Sequence, residues 1–309
     1  MNSEKLRWCT VTTFPTPILK FQMDNLNILA KVEYLQPGCS IKNRIAHYLI
    51  KEMIEVGELT KETEYIVEAT AGNTAIALAH EIKRLNLNTQ VVAVVKEGLS
   101  QLKINSMKDM GIKVHFVNNK VSKDPTTNMN PQMQTVQELC EIYPNSIAVG
   151  QFNKKSNPLA HELGTGKEIV EQLANEPEAL VLGAGTGGTL TGIARAIKKA
   201  GWKTKIILAD PVGSVIGPVW MGENDPIPSP TVVEGIGHDI MPPLLDLSYI
   251  DQVLMVSDDE TIESFNFLKS IGFPVGLSSA CAWAAACKLR GQVGEVLMLF
   301  ADHGSNYNI

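Results

Sequence analysis

The chain has 309 residues, 44% hydrophobic and 19% charged, with 27 Lys and Arg against 33 Asp and Glu for a net charge of -6. This balance excludes a disordered tail protein, and the acidic sign excludes the electrostatic footprint of a nucleic-acid or anionic-membrane binder, since no basic run exceeds pairs such as Lys154-Lys155 and Lys198-Lys199. No apolar run is long enough to span a bilayer, and Met1 to Arg7 lacks the apolar core of a secretion signal, so a cytoplasmic location and a small-molecule partner are expected. The cysteines at 9, 39, 140, 281 and 287 are odd in number and form no Cys-x-x-Cys, which argues against a disulfide framework or a zinc site.

The spacing predicts a strand over Ile28 to Tyr34, an amphipathic helix over Ile41 to Val56, a strand at Tyr65 to Val67 and a helix over Asn73 to Leu85. The rhythm continues with a strand at Gln90 to Val95, a helix at Ser100 to Met110 and a strand at Ile112 to Val117. It runs on with a strand at Ala179 to Leu182, a helix at Thr189 to Ala200 and a strand at Lys205 to Ala209. Short β-branched runs alternating with helices imply a mostly parallel, helix-covered sheet, in one large α/β unit or two lobes. After the polar stretch Asn118 to Gln132 the rhythm restarts around Gln151, where a lobe boundary is placed. Pro211 to Pro243, dense in Pro and Gly, is too long for an ordinary connection and is either disordered or a functional loop.

Four segments carry candidate chemistry. In Pro37-Gly38-Cys39-Ser40-Ile41-Lys42-Asn43-Arg44, Lys42 falls in the first turn of a helix, where the positive dipole disfavours an ammonium. It is either a nucleophilic neutral amine or a lysine that snorkels to water, and these eight residues alone favour the latter. In Glu68-Ala69-Thr70-Ala71-Gly72-Asn73-Thr74-Ala75, small residues and hydroxyls open an apolar helix, as suits a carboxylate or phosphate or an ordinary helix cap. Leu182 to Gly192 holds five glycines interleaved with threonines before a helix, an anion cradle. Gly183-x-Gly185-x-x-Gly188 equally matches a dinucleotide fingerprint, with Asp210 ending the next strand as the ribose-binding acid. In Val275 to Ala280, Ser278 or Ser279 reads as a helix N-cap.

In this order and spacing the four segments resemble the cysteine synthase and cystathionine β-synthase branch of the fold type II pyridoxal phosphate enzymes, over nearly the whole chain. Ala30 to Arg44 looks like that family's lysine segment and Gly185 to Thr189 like its phosphate loop, with weaker matches at Gln151-Phe152, Glu234-Gly235-Ile236-Gly237 and Ser278. The resemblance implies a two-lobed α/β fold like that of the tryptophan synthase β subunit. Its smaller mobile lobe would run over 37-150, and its larger lobe over 1-36 and 151-309. It further implies that Lys42 holds pyridoxal 5'-phosphate as an internal aldimine and serves as the catalytic base. Asn73 would meet the ring hydroxyl, Gly185, Thr186, Gly187, Gly188 and Thr189 the phosphate, and Ser278 the pyridine nitrogen. Thr70, Ala71, Gly72, Thr74, Gln151 and Gly235 would receive the amino-acid substrate.

The activity so implied is β-replacement or β-elimination on O-acetylserine, O-phosphoserine, serine or cysteine with a sulfur nucleophile. Cystathionine β-synthase, cysteine desulfhydrase and diaminopropionate synthase are alternatives within the family. A homodimer and a complex with serine acetyltransferase are the partners the family suggests, and no metal is expected. Departures cluster at the carboxylate loop: Ala69 stands where proline is usual, Ala71 for serine and Ala75 for glycine, which puts acetylserine in question. Asn153-Lys154-Lys155 is unusually basic, Asn43 replaces an acid, and Ala280-Cys281 replaces Gly-Ala. The six histidines show no metal spacing and read as core or surface groups, with His238 a candidate for the site wall. A nicotinamide oxidoreductase and a non-catalytic binding scaffold are the rivals from other classes.

Overall fold

A computed structural model describes residues 15–117 and 130–307. Two sheets organise them. The larger is built from β1 (Ile18–Met23), β2 (Leu26–Val32), β7 (Ala179–Leu182), β8 (Lys205–Pro211), β9 (Gln252–Val256) and β10 (Glu295–Phe300), in the order β1-β2-β10-β7-β8-β9. The smaller holds β3 (Tyr65–Ala69), β4 (Gln90–Lys96), β5 (Lys113–Val117) and β6 (Ser146–Ala148), in the order β5-β4-β3-β6. Every pairing is parallel except the β1–β2 hairpin at the edge of the larger sheet.

The strands read as unbroken apolar runs because both faces of each sheet are covered. In the larger sheet Ile28, Val181, Ile207 and Met298 face α9 (Asp258–Ser270) and α10 (Leu277–Cys287). Their neighbours Leu29, Leu180, Leu208 and Leu297 face the opposite side, with α6 (Lys167–Gln172), α7 (Gly188–Lys199) and α8 (Ile216–Trp220). In the smaller sheet Ile66, Val91, Ala93 and Val95 pack under α1 (Lys42–Glu55), α2 (Asn73–Arg84) and α3 (Gln101–Asp109). Val67, Val92 and Val94 lie on the other face under α4 (Pro131–Ile142). α5 (Ser156–Ala160) leads from the smaller sheet toward α6.

Helix α1 shows how such elements are held. Its start at Ile41 has no side-chain cap, a loss of about 1 kcal/mol. Ile45, Leu49 and Met53, one above another at four-residue spacing, are each 0% exposed and together contribute roughly 5 to 9 kcal/mol of burial. Packing therefore decides where this helix lies, and with it where Lys42 stands.

From β5 the chain passes into the polar stretch Asn118 to Gln132. Residues 118–129 of that stretch lie outside the described ones, but α4 and β6 follow it and β6 still pairs with β3, so the chain leaves the smaller sheet only after Ala148. The span Pro211 to Pro243 contains α8 and otherwise runs as irregular chain over the ends of β7 and β8. The Gly237 N–H donates to the Ala184 carbonyl at 2.8 Å, and the Val215 N–H to His238 at 2.9 Å.

Candidate active site

At the C-terminal ends of the larger sheet's parallel strands, where open α/β folds present ligands, a cavity is lined by Lys42, Asn73, the 183–187 turn, Thr189, Glu234, Gly235, Ser278 and Asp302. Four widely separated segments thus meet around one space. Lys42, in the first turn of α1, is half-buried. Among the described residues its amine has neither a hydrogen-bond nor an ion-pair partner. Burial lowers its proton affinity, and the nearby Asp302 carboxylate partly restores it. A half-buried amine lining the cavity is not a lysine that snorkels to bulk water.

The turn after β7 is built for close backbone approach. Gly187, at φ +83, caps α7 in a left-handed conformation that favours glycine. A Cβ on Gly185 would strike the Gly235 carbonyl, one on Gly187 the Leu245 main chain, and one on Gly188 the Asn157 carboxamide. No acidic residue occupies the first turn of α7, and beyond the Gly188 N–H, which donates to Thr186 Oγ1 at 3.4 Å, its opening N–H groups are left for an anion. The threonines are held from behind. Thr186 Oγ1 accepts from Asn157 Nδ2 at 3.0 Å, and Thr189 Oγ1 lies 3.1 Å from His161 Nε2. His161 Nδ1 lies 3.0 Å from Thr165 Oγ1, and burial keeps the imidazole neutral. A phosphate dianion on this turn and an aldehyde on Lys42 fit the residues present.

The remaining expected residues take defined places. Gly72, not Asn73 or Thr74, is the N-cap of α2, at φ +107, and Asn73 instead donates from Nδ2 to Asp302 Oδ2 at 2.8 Å. Likewise Gly276 caps α10. Ser278 is in its first turn on the cavity wall, and the Ser279 hydroxyl accepts from the Ala301 N–H at 2.9 Å. Thr70, Gly72, Thr74 and Gln151 lie next to Asn73 but are not among the residues lining the cavity, and their polar groups are internally engaged. Thr70 Oγ1 accepts from the Gly72 N–H at 2.9 Å, Thr74 Oγ1 donates to Gln151 Oε1 at 2.8 Å, and Gln151 Nε2 donates to the Ala69 carbonyl at 2.7 Å. Ala71 is at the exposed tip of this turn. Beneath it the Glu68 carboxyl, accepting from the Gly150 and Gln151 N–H groups, is pushed up by burial to about 7.

Two of the departures find a structural account. Asn43 Oδ1 accepts from the Gly38 N–H at 2.8 Å and so shapes the turn that leads to Lys42. Lys154 pairs with Glu58 at 2.5 Å, away from the cavity. The dinucleotide reading fails at Asp210, which is 0% exposed and accepts from the Gly217 N–H at 2.7 Å inside the fold, with burial raising its carboxyl to about 6. No ribose hydroxyl reaches it. His238 is not on the cavity wall; its ring packs edge-on against Phe152 at 5.3 Å.

The sequence reading missed Asp302, Lys103, Asn157 and the support given by His161. Asp302 had one visible signal: an acid two residues after a buried parallel strand, at the C-terminal end of the sheet where ligands bind. Lys103, 1% exposed, packs its stem against Gly72 and pairs with Glu234, a contact no local pattern announces.

A family model described as "Pyridoxal-phosphate dependent enzyme" matches residues 10–301. A cysteine synthase of Helicobacter pylori is 34% identical over 302 residues, covering 94% of each chain. A cystathionine beta-synthase of Apis mellifera is 34% identical over 285 residues, 91% of this chain, which spans 55% of that relative's length. The solved structure of an O-acetylserine dependent cystathionine beta-synthase from Helicobacter pylori superposes with a TM-score of 0.84 at 33% identity, covering 98% of each chain.

Proposed function

The chain belongs to the pyridoxal-phosphate dependent enzymes, and we propose that within this family it replaces the β-substituent of an alanine derivative with a sulfur nucleophile, as cysteine synthases do. The observation that carries the reading is the placement of an unpaired, burial-weakened amine at Lys42 on the same cavity wall as the glycine turn before α7.

Bound there, pyridoxal phosphate supplies an electron sink that weakens the bonds at the substrate α-carbon. Lys42 would anchor it, with the Gly185 to Thr189 turn and the α7 N-terminus taking its phosphate. Asn73 and Ser278 would address the ring from opposite segments. Once substrate has taken its place, the freed Lys42 amine, its proton affinity lowered by burial, accepts the α-proton. Ser278 offers the cavity a neutral hydroxyl where a carboxylate would hold a positive ring charge, which favours prompt loss of the β-substituent over transamination. Thr70, Gly72, Thr74 and Gln151 would release their internal partners to take the substrate carboxylate, with Ala71 contributing main chain only and Gly235 bordering from the facing loop. Residues 37-150, which carry the smaller sheet, would form the smaller lobe that moves against the rest at this step.

No described helix is long and apolar enough to cross a membrane. A homodimer, a cytoplasmic location and an acetyltransferase partner belong to the same proposal, and light scattering of the purified chain tests the first. Activity is tested by following product from O-acetylserine, O-phosphoserine, serine and cysteine, each with sulfide or homocysteine. Turnover of one β-substituted alanine with sulfur incorporated is expected; a loaded enzyme that turns over none of them refutes the proposal.

A further inference from the structure

We propose that Asp302 is a positioning residue of this site: its buried carboxylate fixes the carboxamide of Asn73 and supplies the counter-charge of the Lys42 amine. The inference deepens the reading of the site as a pyridoxal phosphate pocket and rests on it.

Asp302 follows β10 and ties together two site segments through its main chain. It pairs antiparallel with Ser40, with the Ile41 N–H donating to Ala301 at 2.7 Å and the His303 N–H to Cys39 at 3.1 Å on either side. The Gly276 N–H, at the cap of the helix bearing Ser278, donates to the Asp302 carbonyl at 3.0 Å. The residue is 2% exposed and lines the cavity with Lys42.

Its side chain is unequally satisfied. Oδ2 accepts from Asn73 Nδ2 at 2.8 Å and from the Tyr307 hydroxyl at 2.7 Å. Oδ1 is buried with no hydrogen-bond partner and packs against Gly276, where any Cβ would collide with it. A buried carboxylate oxygen left unpaired is costly, so a compensating positive charge is required nearby. The charged groups facing this region are few. Lys42 is acted on by Asp302, and the adjacent His161 is held neutral by burial. On the far side of Asp302 stands Tyr307, whose hydroxyl Lys103 Nζ reaches at 3.3 Å, and Lys103 is itself neutralised by Glu234. Among the described residues the Lys42 amine is the remaining cation, and the Asp302 carboxylate favours its protonated form while burial opposes it.

The consequence for Asn73 is geometric. An ionised carboxylate accepts and cannot donate, so only the nitrogen end of the carboxamide can face it. One N–H is thereby spent on Asp302, and the second N–H of the same nitrogen remains for an acceptor in the cavity. With a neutral partner at 302 that could also donate, the carboxamide could turn over and present its carbonyl instead.

The test uses the full chain loaded with pyridoxal phosphate. Asp302→Asn keeps the size and an acceptor for Tyr307 but removes the charge; Asp302→Ala removes both. Two readouts independent of turnover are taken: the pH midpoint of the visible absorbance of the lysine-bound cofactor, and the cofactor dissociation constant of Asp302→Ala, Asn73→Ala and the double variant. The midpoint of Asp302→Asn is expected to fall by about one pH unit. Asp302→Ala is expected to weaken cofactor binding about tenfold, with Asn73→Ala adding little on top because the two act as one unit. A midpoint of Asp302→Asn within about 0.2 unit of the parent, or effects of the two alanine variants that simply multiply, overturns the inference. The fold need not survive Asp302→Ala for the Asp302→Asn midpoint to decide. A parental chain that takes up no pyridoxal phosphate overturns the site reading and this inference together, whereas a normal parental band with an unshifted Asp302→Asn overturns this inference alone.

Discussion

Replacing Arg44 by methionine tests how the lysine-bearing helix is anchored. Arg44, two residues beyond Lys42, is 2% exposed and its guanidinium bridges two carboxylates. Glu33 is met at 2.5 and 2.8 Å and Glu168 at 2.6 and 2.7 Å. Lys31 completes the cluster at 2.8 Å from Glu168, and the Thr16 hydroxyl donates to Glu33 at 2.6 Å, so two cations balance two anions. Methionine fills much of the volume but leaves one buried carboxylate without its cation, a loss of about 3 to 5 kcal/mol. That carboxylate can escape by taking up a proton. From an ordinary glutamate value of about 4.3, this costs about 4 kcal/mol at pH 7 and about 1 kcal/mol at pH 5. Urea unfolding of both proteins at the two pH values should therefore show a deficit of about 4 kcal/mol that shrinks to about 1 kcal/mol in acid. A deficit below about 1 kcal/mol at pH 7, or one that does not change with pH, would refute the reasoning.

Lys42→Ala should lower turnover by about a thousandfold or more while the circular dichroism still reports a folded chain, because among the described residues the Lys42 amine makes no hydrogen bond or ion pair; a parental rate excludes Lys42 as the base. In Gly188→Ala the new methyl would press on the Asn157 carboxamide that holds Thr186. It should cost about 1 to 3 kcal/mol in thermal stability and weaken phosphate-dependent cofactor binding, which isothermal titration reads. The Glu68 carboxyl, raised by burial from 4.5 to about 7, keeps a proton in the folded state that the unfolded chain releases. Its contribution to stability is thus lost as pH rises through that window, by up to about 3 kcal/mol. Glu68→Gln should flatten the pH dependence between 5 and 8 in denaturant melts; an unchanged slope would show that Glu68 ionises freely.

The parallel sheets, the helix carrying Lys42 and the glycine turn were legible because each is written in local pattern: apolar runs for strands buried on both faces, four-residue repeats at Ile41, Ile45, Leu49 and Met53, and clustered glycines where a Cβ would collide. Capping was misread for a physical reason. Asn73 and Ser278 are good caps in isolation, but glycines at 72 and 276 hold those positions and release the polar side chains to the cavity. Strand β6 was not legible because it is only three residues long and draws its pairing from β3, far off in sequence. The Asp302, Tyr307, Lys103 and Glu234 chain escaped for the same reason: its members lie on different segments and meet only through tertiary packing.

Borohydride reduction of the pyridoxal phosphate-loaded chain, followed by peptide mass analysis, asks directly which amine carries the cofactor. The account predicts a single reduced phosphopyridoxyl mass on the peptide containing Lys42, with no other lysine modified. The same mass on another lysine, or an unmodified Lys42 peptide from protein that had lost its colour on reduction, would contradict it.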